Sequence, residues 1–135
     1  MDSTNQWQTP VTYVGTATSH FQSEPGNYDA SDWDREVRNK LNAQGRTCIK
    51  PDLKSAVLPA LLTNQAYYAK RSQELGCNMF RFSFDLPRLV PKRGYFNEAL
   101  MFEYIRFLVR LRLSGHEPLV TLHHFTMPKS LMTCG

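Results

Sequence analysis

The sequence has 135 residues, of which 41% are hydrophobic and 21% charged, so its length suits one domain with one core. Its formal net charge of +4 comes from Lys and Arg scattered among acids, without the basic stripe that follows a phosphate backbone, so no nucleic-acid partner is expected. The three cysteines are odd in number and form no C-x-x-C pair, which argues against disulfides and a zinc site. The sequence shows no leader peptide and no run of the ~20 apolar residues that a membrane span needs. These features predict a soluble, cytoplasmic protein.

The first predicted element is a short strand, VTYVGTAT, over Val11–Thr18, because it is β-branched and aromatic. Residues 11–24 form this strand and the loop after it, which ends in hydroxyls, a histidine and the amide of Gln22. That amide could hydrogen-bond a vicinal diol, although an isolated glutamine is unremarkable. Residues 25–62 are rich in Asn, Asp, Ser, Gly and Pro and predict a long loop, and loops of this length are usually functional or disordered.

Residues 63–135 predict the order helix, strand, helix, strand. Thr63 can cap a helix through NQAYYAKRSQEL, and Gly76 follows where a left-handed residue closes a helix. Asn97 can cap a second helix, EALMFEYIRFLVRLRLSG, in which Gly115 is the closing residue. The apolar residues of this second helix recur at helical spacing: Leu100, Met101, Tyr104, Ile105, Leu108 and Leu111.

Two strands flank the second helix. In NMFRFSFDLP (residues 78–87) three phenylalanines alternate with a second face, which consists of Met79, Arg81, Ser83 and Asp85. EPLVTLHHFTMP (residues 117–128) is an apolar strand that ends in two histidines. Helices between strands indicate βαβ units and a parallel sheet, in which ligands bind at the carboxyl ends of the strands.

The adjacent histidines suit a metal site poorly. Neighbouring residues on a strand point to opposite faces, so His123 and His124 cannot bind one metal ion unless the pleat is broken. Taken alone, such a pair is more often structural than ligand-binding. A metal-dependent hydrolase is therefore the disfavoured alternative, and we expect neither a metal nor another cofactor.

Arg81 needs an anion if its strand is buried on both sides, because an unpaired buried charge costs several kcal/mol. The alternative is a solvated face, as in an antiparallel sheet. Asn97 and Glu98 suggest catalysis, but an N-cap and a first-turn carboxylate explain them better.

Taken in order, these segments resemble glycoside hydrolase family 1, the β-glucosidase family. The segments that carry the resemblance are GTATSHFQSE (15–24), Asp32-Trp33-Asp34, LGCNMFRFSFDLPRLVP (75–91) and EPLVTLHHFTMPKSL (117–131). The resemblance implies the N-terminal part of a (β/α)₈ barrel and a retaining β-glycosidase that acts on a small-molecule carbohydrate. It implies that Gln22 and His124 bind the non-reducing sugar, with Phe125 at its edge in place of the family's tryptophan. Arg81 would hold the family's nucleophilic carboxylate.

Residues 1–135 would then be an incomplete barrel domain, since such a barrel needs roughly 250 residues. The family's Asn-Glu-Pro and Glu-Asn-Gly motifs lie on later strands and do not occur in this sequence. Retaining hydrolysis needs two carboxylates about 5 Å apart, so the resemblance implies no catalytic residue here and an inactive chain. The alternative function is a non-catalytic product that self-associates through its open sheet edge.

Overall fold

The computed structural model describes residues 12–23 and 60–132, except for the side chains of Phe21 and Gln22. Its strands are β1 (Gly15–Ala17), β2 (Met79–Ser83) and β3 (Glu117–Thr121). The helical segments are α1 (His20–Ser23), α2 (Gln65–Glu74), α3 (Leu86–Leu89), α4 (Glu98–Leu113) and α5 (Lys129–Met132). Most of the predicted 25–62 loop, including Asp32-Trp33-Asp34, lies outside the described residues.

The three strands form one parallel sheet in the order β1-β2-β3. Residues 15–17 pair with 79–81, and residues 79–83 pair with 117–121. The predicted α/β class with a parallel sheet is therefore confirmed. The first strand is shorter than the predicted Val11–Thr18, and it approaches β2 closely: a Cβ built on Gly15 would lie 2.5 Å from the carbonyl oxygen of Met79.

The core lies on the face of the sheet that the alternating phenylalanines occupy. Phe80 and Phe82 are fully buried, and Phe84 extends the same face. The ring of Phe82 packs against Phe107 of α4, with centroids 5.1 Å apart. Burial of a Phe side chain contributes about 1.5–3 kcal/mol, so this contact between sheet and helix is a main source of stability.

Helix α4 begins at the predicted cap, since Asn97 accepts a hydrogen bond from the amide of Leu100 at 3.1 Å. It ends before Gly115, which has a φ of +78°. The buried face of α4 differs from the predicted stripe, because Phe107 is buried and Ile105 is 48% exposed. The buried residues follow a spacing of four, three and four: Leu100, Tyr104, Phe107 and Leu111.

Helix α2 begins two residues after the predicted cap Thr63. Asn64 occupies the N-cap position without a side-chain capping hydrogen bond, because the preceding residues form a turn in which the amides of Thr63 and Asn64 both donate to the carbonyl of Ala60. The predicted closing role of Gly76 is confirmed by its φ of +73°. Among the described residues no helix is long and apolar enough to cross a membrane.

Strand β2 ends at Ser83, earlier than the alternation predicts. Asp85 caps α3 instead of extending the Arg81 face, and its carboxylate accepts from the amide of Arg88 at 3.2 Å. The amide of Asp85 donates to the hydroxyl of Tyr104 at 2.9 Å. This bond joins the end of β2 to α4 and turns the chain out of the sheet.

Candidate functional site

Polar side chains meet at the carboxyl ends of the three strands. β1 leads into α1, which begins at His20, while β2 ends at Ser83 and β3 leads into the turn at His124 to Thr126. Because parallel strands end at the same edge of a sheet, these three segments come together there. The strand end predicted to bind a ligand is therefore the place where the polar groups converge.

His20 is a buried histidine to which the sequence assigned no role. Its Nδ1 lies 3.0 Å from the hydroxyl of Ser83, and its Nε2 lies 2.7 Å from the hydroxyl of Thr126. Burial lowers its pKa from 6.5 to about 4, and repulsion by Arg88 and by the protonated forms of His124 and His123 lowers the pKa further. At neutral pH the ring is therefore uncharged, and it ties the end of β1 to β2 and to the turn after β3.

The sequence shows the polar residues of this contact, but it does not show that they pair. The loop after β1 carries Ser19 and His20, and the alternation of β2 places Ser83 on the same face as Arg81. Sequence analysis could not pair these groups, because residues 20 and 126 are far apart along the chain.

His124 lies at the same strand end and is partly buried. Its Nδ1 lies 3.4 Å from the hydroxyl of Ser83. Its pKa is lowered by burial first, and then by the nearby positive charges of Arg81 and His123. A neutral imidazole at neutral pH can hydrogen-bond a ligand hydroxyl without presenting a charge.

Arg81 stands beside His124 on the half-buried face of β2. Its Nε donates to the hydroxyl of Thr121, the residue at the end of β3, at 2.8 Å. Within residues 12–23 and 60–132 no carboxylate forms a salt bridge with Arg81. Among the described residues the bond to Thr121 is the one hydrogen bond of this guanidinium, so its two terminal NH₂ groups remain able to donate.

Phe125 lies at the rim of the site in a strained turn. It has a φ of +66°, and the amide of Thr126 donates to the carbonyl of His124 at 2.9 Å. A bond between residues two apart with this φ defines a γ-turn, a strained conformation. The Phe125 ring is 66% exposed, and its centroid lies 4.8 Å from that of His124. An aromatic surface thus stands next to the imidazole.

The structure does not reach every predicted site residue. The backbone of Gln22 belongs to α1 directly after β1, but its side chain is outside the description, so its role stays a prediction. His123 is exposed. β3 ends at Thr121, so neither histidine lies on the strand on which the sequence places them. In the described segments no three His, Cys, Asp or Glu side chains cluster closely enough to hold a metal ion.

The arrangement suits an uncharged, hydroxylated ligand. It offers a neutral imidazole, a guanidinium and an exposed aromatic ring within one strand-end region. Asp85 is a buried carboxylate two residues after the end of β2. Burial raises its pKa, and the carboxylate caps α3. Among the described residues, this strand end presents hydrogen-bonding side chains and an aromatic ring, while Asp85 is held at the cap of α3.

Comparison with known proteins gives a consistent result. The family model described as Glycosyl hydrolase family 1 matches residues 13–135. Beta-glucosidase A of Enterobacter agglomerans is 38% identical over 85 residues, which are 60% of this chain and 18% of that protein.

Solved structures agree with the sequence comparison. A beta-glycosidase from Pyrococcus horikoshii superposes with a TM-score of 0.67 at 34% identity, covering 89% of this chain and 26% of that one. A GH1 beta-glucosidase from Humicola insolens in complex with glucose gives a TM-score of 0.66 at 25% identity, with 89% and 25% covered. The chain therefore spans about a quarter or less of the length of these relatives.

Proposed function

Since the chain belongs to glycosyl hydrolase family 1, we propose that its residues form part of the glycone-binding site of a retaining β-glycosidase. The observation that carries this proposal is that two side chains reach the carboxyl ends of adjacent parallel strands. The guanidinium of Arg81 bonds Thr121 at the end of β3, and the imidazole of His124 contacts Ser83 at the end of β2. His124 and Gln22 would bind hydroxyls of the non-reducing sugar, and Phe125 would form its edge. Arg81 would hold the nucleophilic carboxylate.

The proposed substrate class is an aryl β-glucoside or β-galactoside. The names of the relatives support it, since several are beta-glucosidases and one solved relative holds glucose. The 135 residues would supply binding groups without the two carboxylates of a retaining enzyme. The cytoplasmic location stays a prediction.

Sugar binding can be tested on the chain itself. We expect D-glucose or D-galactose to shift the imidazole resonances of His124 in a ¹⁵N-histidine-labelled sample. His124→Ala should weaken binding about tenfold, the effect of one lost hydrogen bond of about 1.4 kcal/mol. His123→Ala is the matched control, because that neighbouring ring is exposed.

The proposal fails if His124 does not respond to either sugar. It also fails if the acyclic polyol D-sorbitol produces the same shifts, since a glycone site should select a pyranose ring. Loss of binding in both histidine variants would point to a general effect of the turn rather than to His124.

Hydrolysis gives a second test. We expect the purified chain to release no nitrophenol from 4-nitrophenyl β-D-glucoside or β-D-galactoside, because it lacks the Asn-Glu-Pro and Glu-Asn-Gly motifs. Turnover that co-purifies with the chain and is abolished by a substitution within it would contradict the assignment of binding residues without catalytic ones.

The role of Arg81 is testable in a hybrid. Residues 13–132 of this chain would replace the matching segment of the Pyrococcus horikoshii relative. The relative would supply the remaining strands. Arg81→Ala should lower kcat about 10²- to 10³-fold, the usual effect of losing one preorganised donor, with little change in KM. Arg81→Lys keeps the charge without the planar fork and should recover only part of the rate. A hybrid that tolerates Arg81→Ala would exclude this role.

A second candidate is a non-catalytic chain that associates through its sheet. The outer edges of β1 and β3 have no strand partner among the described residues, and unpaired edges invite pairing with another chain. Sedimentation that depends on concentration, with a native-like spectrum, would support this function. A monodisperse, stable monomer would contradict it.

A further inference from the structure

Hydrogen bonds join four side chains into one cluster, which we call the His20 cluster: His20, Ser83, Thr126 and His124. The first three are buried and His124 is half-buried. Among the described residues no charged side chain is hydrogen-bonded to this cluster, and Ser83 and Thr126 are 1% and 2% exposed. The backbone amide of His20 donates to the Ser83 hydroxyl at 3.0 Å. The directions of the remaining bonds follow from counting protons and lone pairs.

Ser83 is the branching point. Its hydroxyl has one proton and two acceptor lone pairs, and the amide of His20 occupies one lone pair. The two remaining contacts are Nδ1 of His20 at 3.0 Å and Nδ1 of His124 at 3.4 Å. One ring must therefore donate from Nδ1 and the other must accept there, so the tautomers of the two histidines are coupled.

Thr126 decides between the two arrangements. In the part of the chain that the structure describes, its hydroxyl contacts only Nε2 of His20, at 2.7 Å. If Nε2 of His20 carried the proton, the buried Thr126 proton would have no acceptor, which is costly. If Thr126 donates to Nε2, His20 carries its proton on Nδ1 and donates to Ser83. Ser83 then donates to His124, whose own proton must lie on Nε2.

The backbone supports the same connection. The strained γ-turn at Phe125 persists only if surrounding contacts hold it in place. The hydrogen bond between Thr126 and His20 holds Thr126, which directly follows Phe125. One imidazole thus controls both the position of the turn and the proton on the neighbouring ring.

We propose that His20 is a positioning residue that acts through Ser83 and Thr126 to hold His124 as the tautomer with its proton on Nε2. His124 would then present an N–H donor to an oxygen of its ligand. The donor role toward a sugar rests on the proposed function, whereas the tautomers themselves rest only on the His20 cluster.

Long-range ¹H–¹⁵N correlation spectra of the ¹⁵N-histidine-labelled chain at pH 7.5 test the proposal. We expect His20 to be protonated on Nδ1 and His124 on Nε2. The proton on Nδ1 of His20 is the more discriminating result, because a free neutral histidine prefers its proton on Nε2. A proton on Nε2 of His20, a proton on Nδ1 of His124, or averaged shifts like those of free histidine would each overturn the proposal.

A pair of variants at Thr126 tests the direction of the bonds. Thr126→Ser keeps the hydroxyl and should keep the Nδ1 proton on His20. Thr126→Val keeps the shape without the donor, and the Nδ1-protonated share of His20 should fall to that of free histidine. His123→Gln is the matched control and should leave both tautomers unchanged. Equal spectra for the Val and Ser variants would overturn the role of Thr126.

The same sample separates this inference from the proposed function. Tautomers as expected, with no response of His124 to D-glucose, would contradict the sugar site alone. A response to D-glucose with reversed tautomers would contradict the role of His20 alone.

Discussion

His116 is a buried histidine that takes no part in the site. It is 2% exposed, its ring lies edge-on to Phe80 at 6.5 Å, and neither ring nitrogen has a hydrogen-bond partner among the described residues. We expect His116→Leu to raise the free energy of unfolding by about 1–3 kcal/mol, because it removes a buried polar group that is left unsatisfied. Urea denaturation of the full chain at pH 7.5 measures this effect.

The pH dependence of stability gives a further prediction for the same residue. Burial lowers the pKa of His116 below the ordinary 6.5, so the unfolded chain binds more protons once the pH falls below 6.5. The free energy of unfolding should therefore be fully present above pH 6.5 and decrease below it. His116→Leu should make this decrease shallower. The lowered pKa values of His20 and His124 should maintain the remaining decrease. An unchanged slope in urea denaturation between pH 7.5 and 5, or the same change in the exposed control His123→Leu, would contradict it.

At the residue scale, the sequence predicts side chains well where periodicity decides the matter. The alternation of β2 places Arg81 away from the three phenylalanines, as observed. Periodicity could not predict that His20 and Thr126 touch, because that contact depends on how the segments after two different strands turn. Nor could it predict the positive φ of Phe125, since nothing in a bulky aromatic residue favours that conformation.

At the element scale, the cap of α4 allows a direct test. The side-chain oxygen of Asn97 accepts from the backbone amide of Leu100, and its side-chain NH₂ donates to the carbonyl of Arg88 at 3.4 Å. We expect Asn97→Ala to lower the free energy of unfolding by about 1 kcal/mol, the usual cost of losing an N-cap. Asn97→Asp keeps the acceptor at the positive end of the helix and should cost less. Equal urea midpoints for the Ala and wild-type chains would show that this cap does not contribute.

The helices also show why element existence is easier to predict than element faces. α4 is apolar on more than one side: Phe102, Ile105 and Val109 are each about half exposed or more. The sequence therefore indicates a helix but not which stripe meets the sheet. Packing decides it, because only the Phe107 side reaches the rings of β2. The start of α2 was displaced for a similar reason, since a local turn at Ala60 outcompeted the cap at Thr63.

At the scale of the whole molecule, the sheet has two unlike faces. One is closed by α4 and the phenylalanine core, and the other carries Arg81 together with its cross-strand partner Leu119. Family membership and the parallel order were predictable from ordered motifs and βαβ spacing. The sequence could not predict what packs against the Arg81 face, because the three described strands carry no element that covers it.

Leu119 connects this open face to the behaviour of the chain in solution. It is 51% exposed in the centre of an edge strand, so it offers apolar surface beside unpaired backbone groups, the combination that favours association. We expect the chain to self-associate, and Leu119→Lys to reduce that association by placing a charge within the strand. Leu113→Lys, at the 84% exposed end of α4, is the matched control and should have no such effect. Sedimentation velocity over a range of concentrations distinguishes the variants. Equal reduction by both lysines would attribute association to general apolar exposure, and a monomeric parent chain would remove the premise that the open sheet drives it.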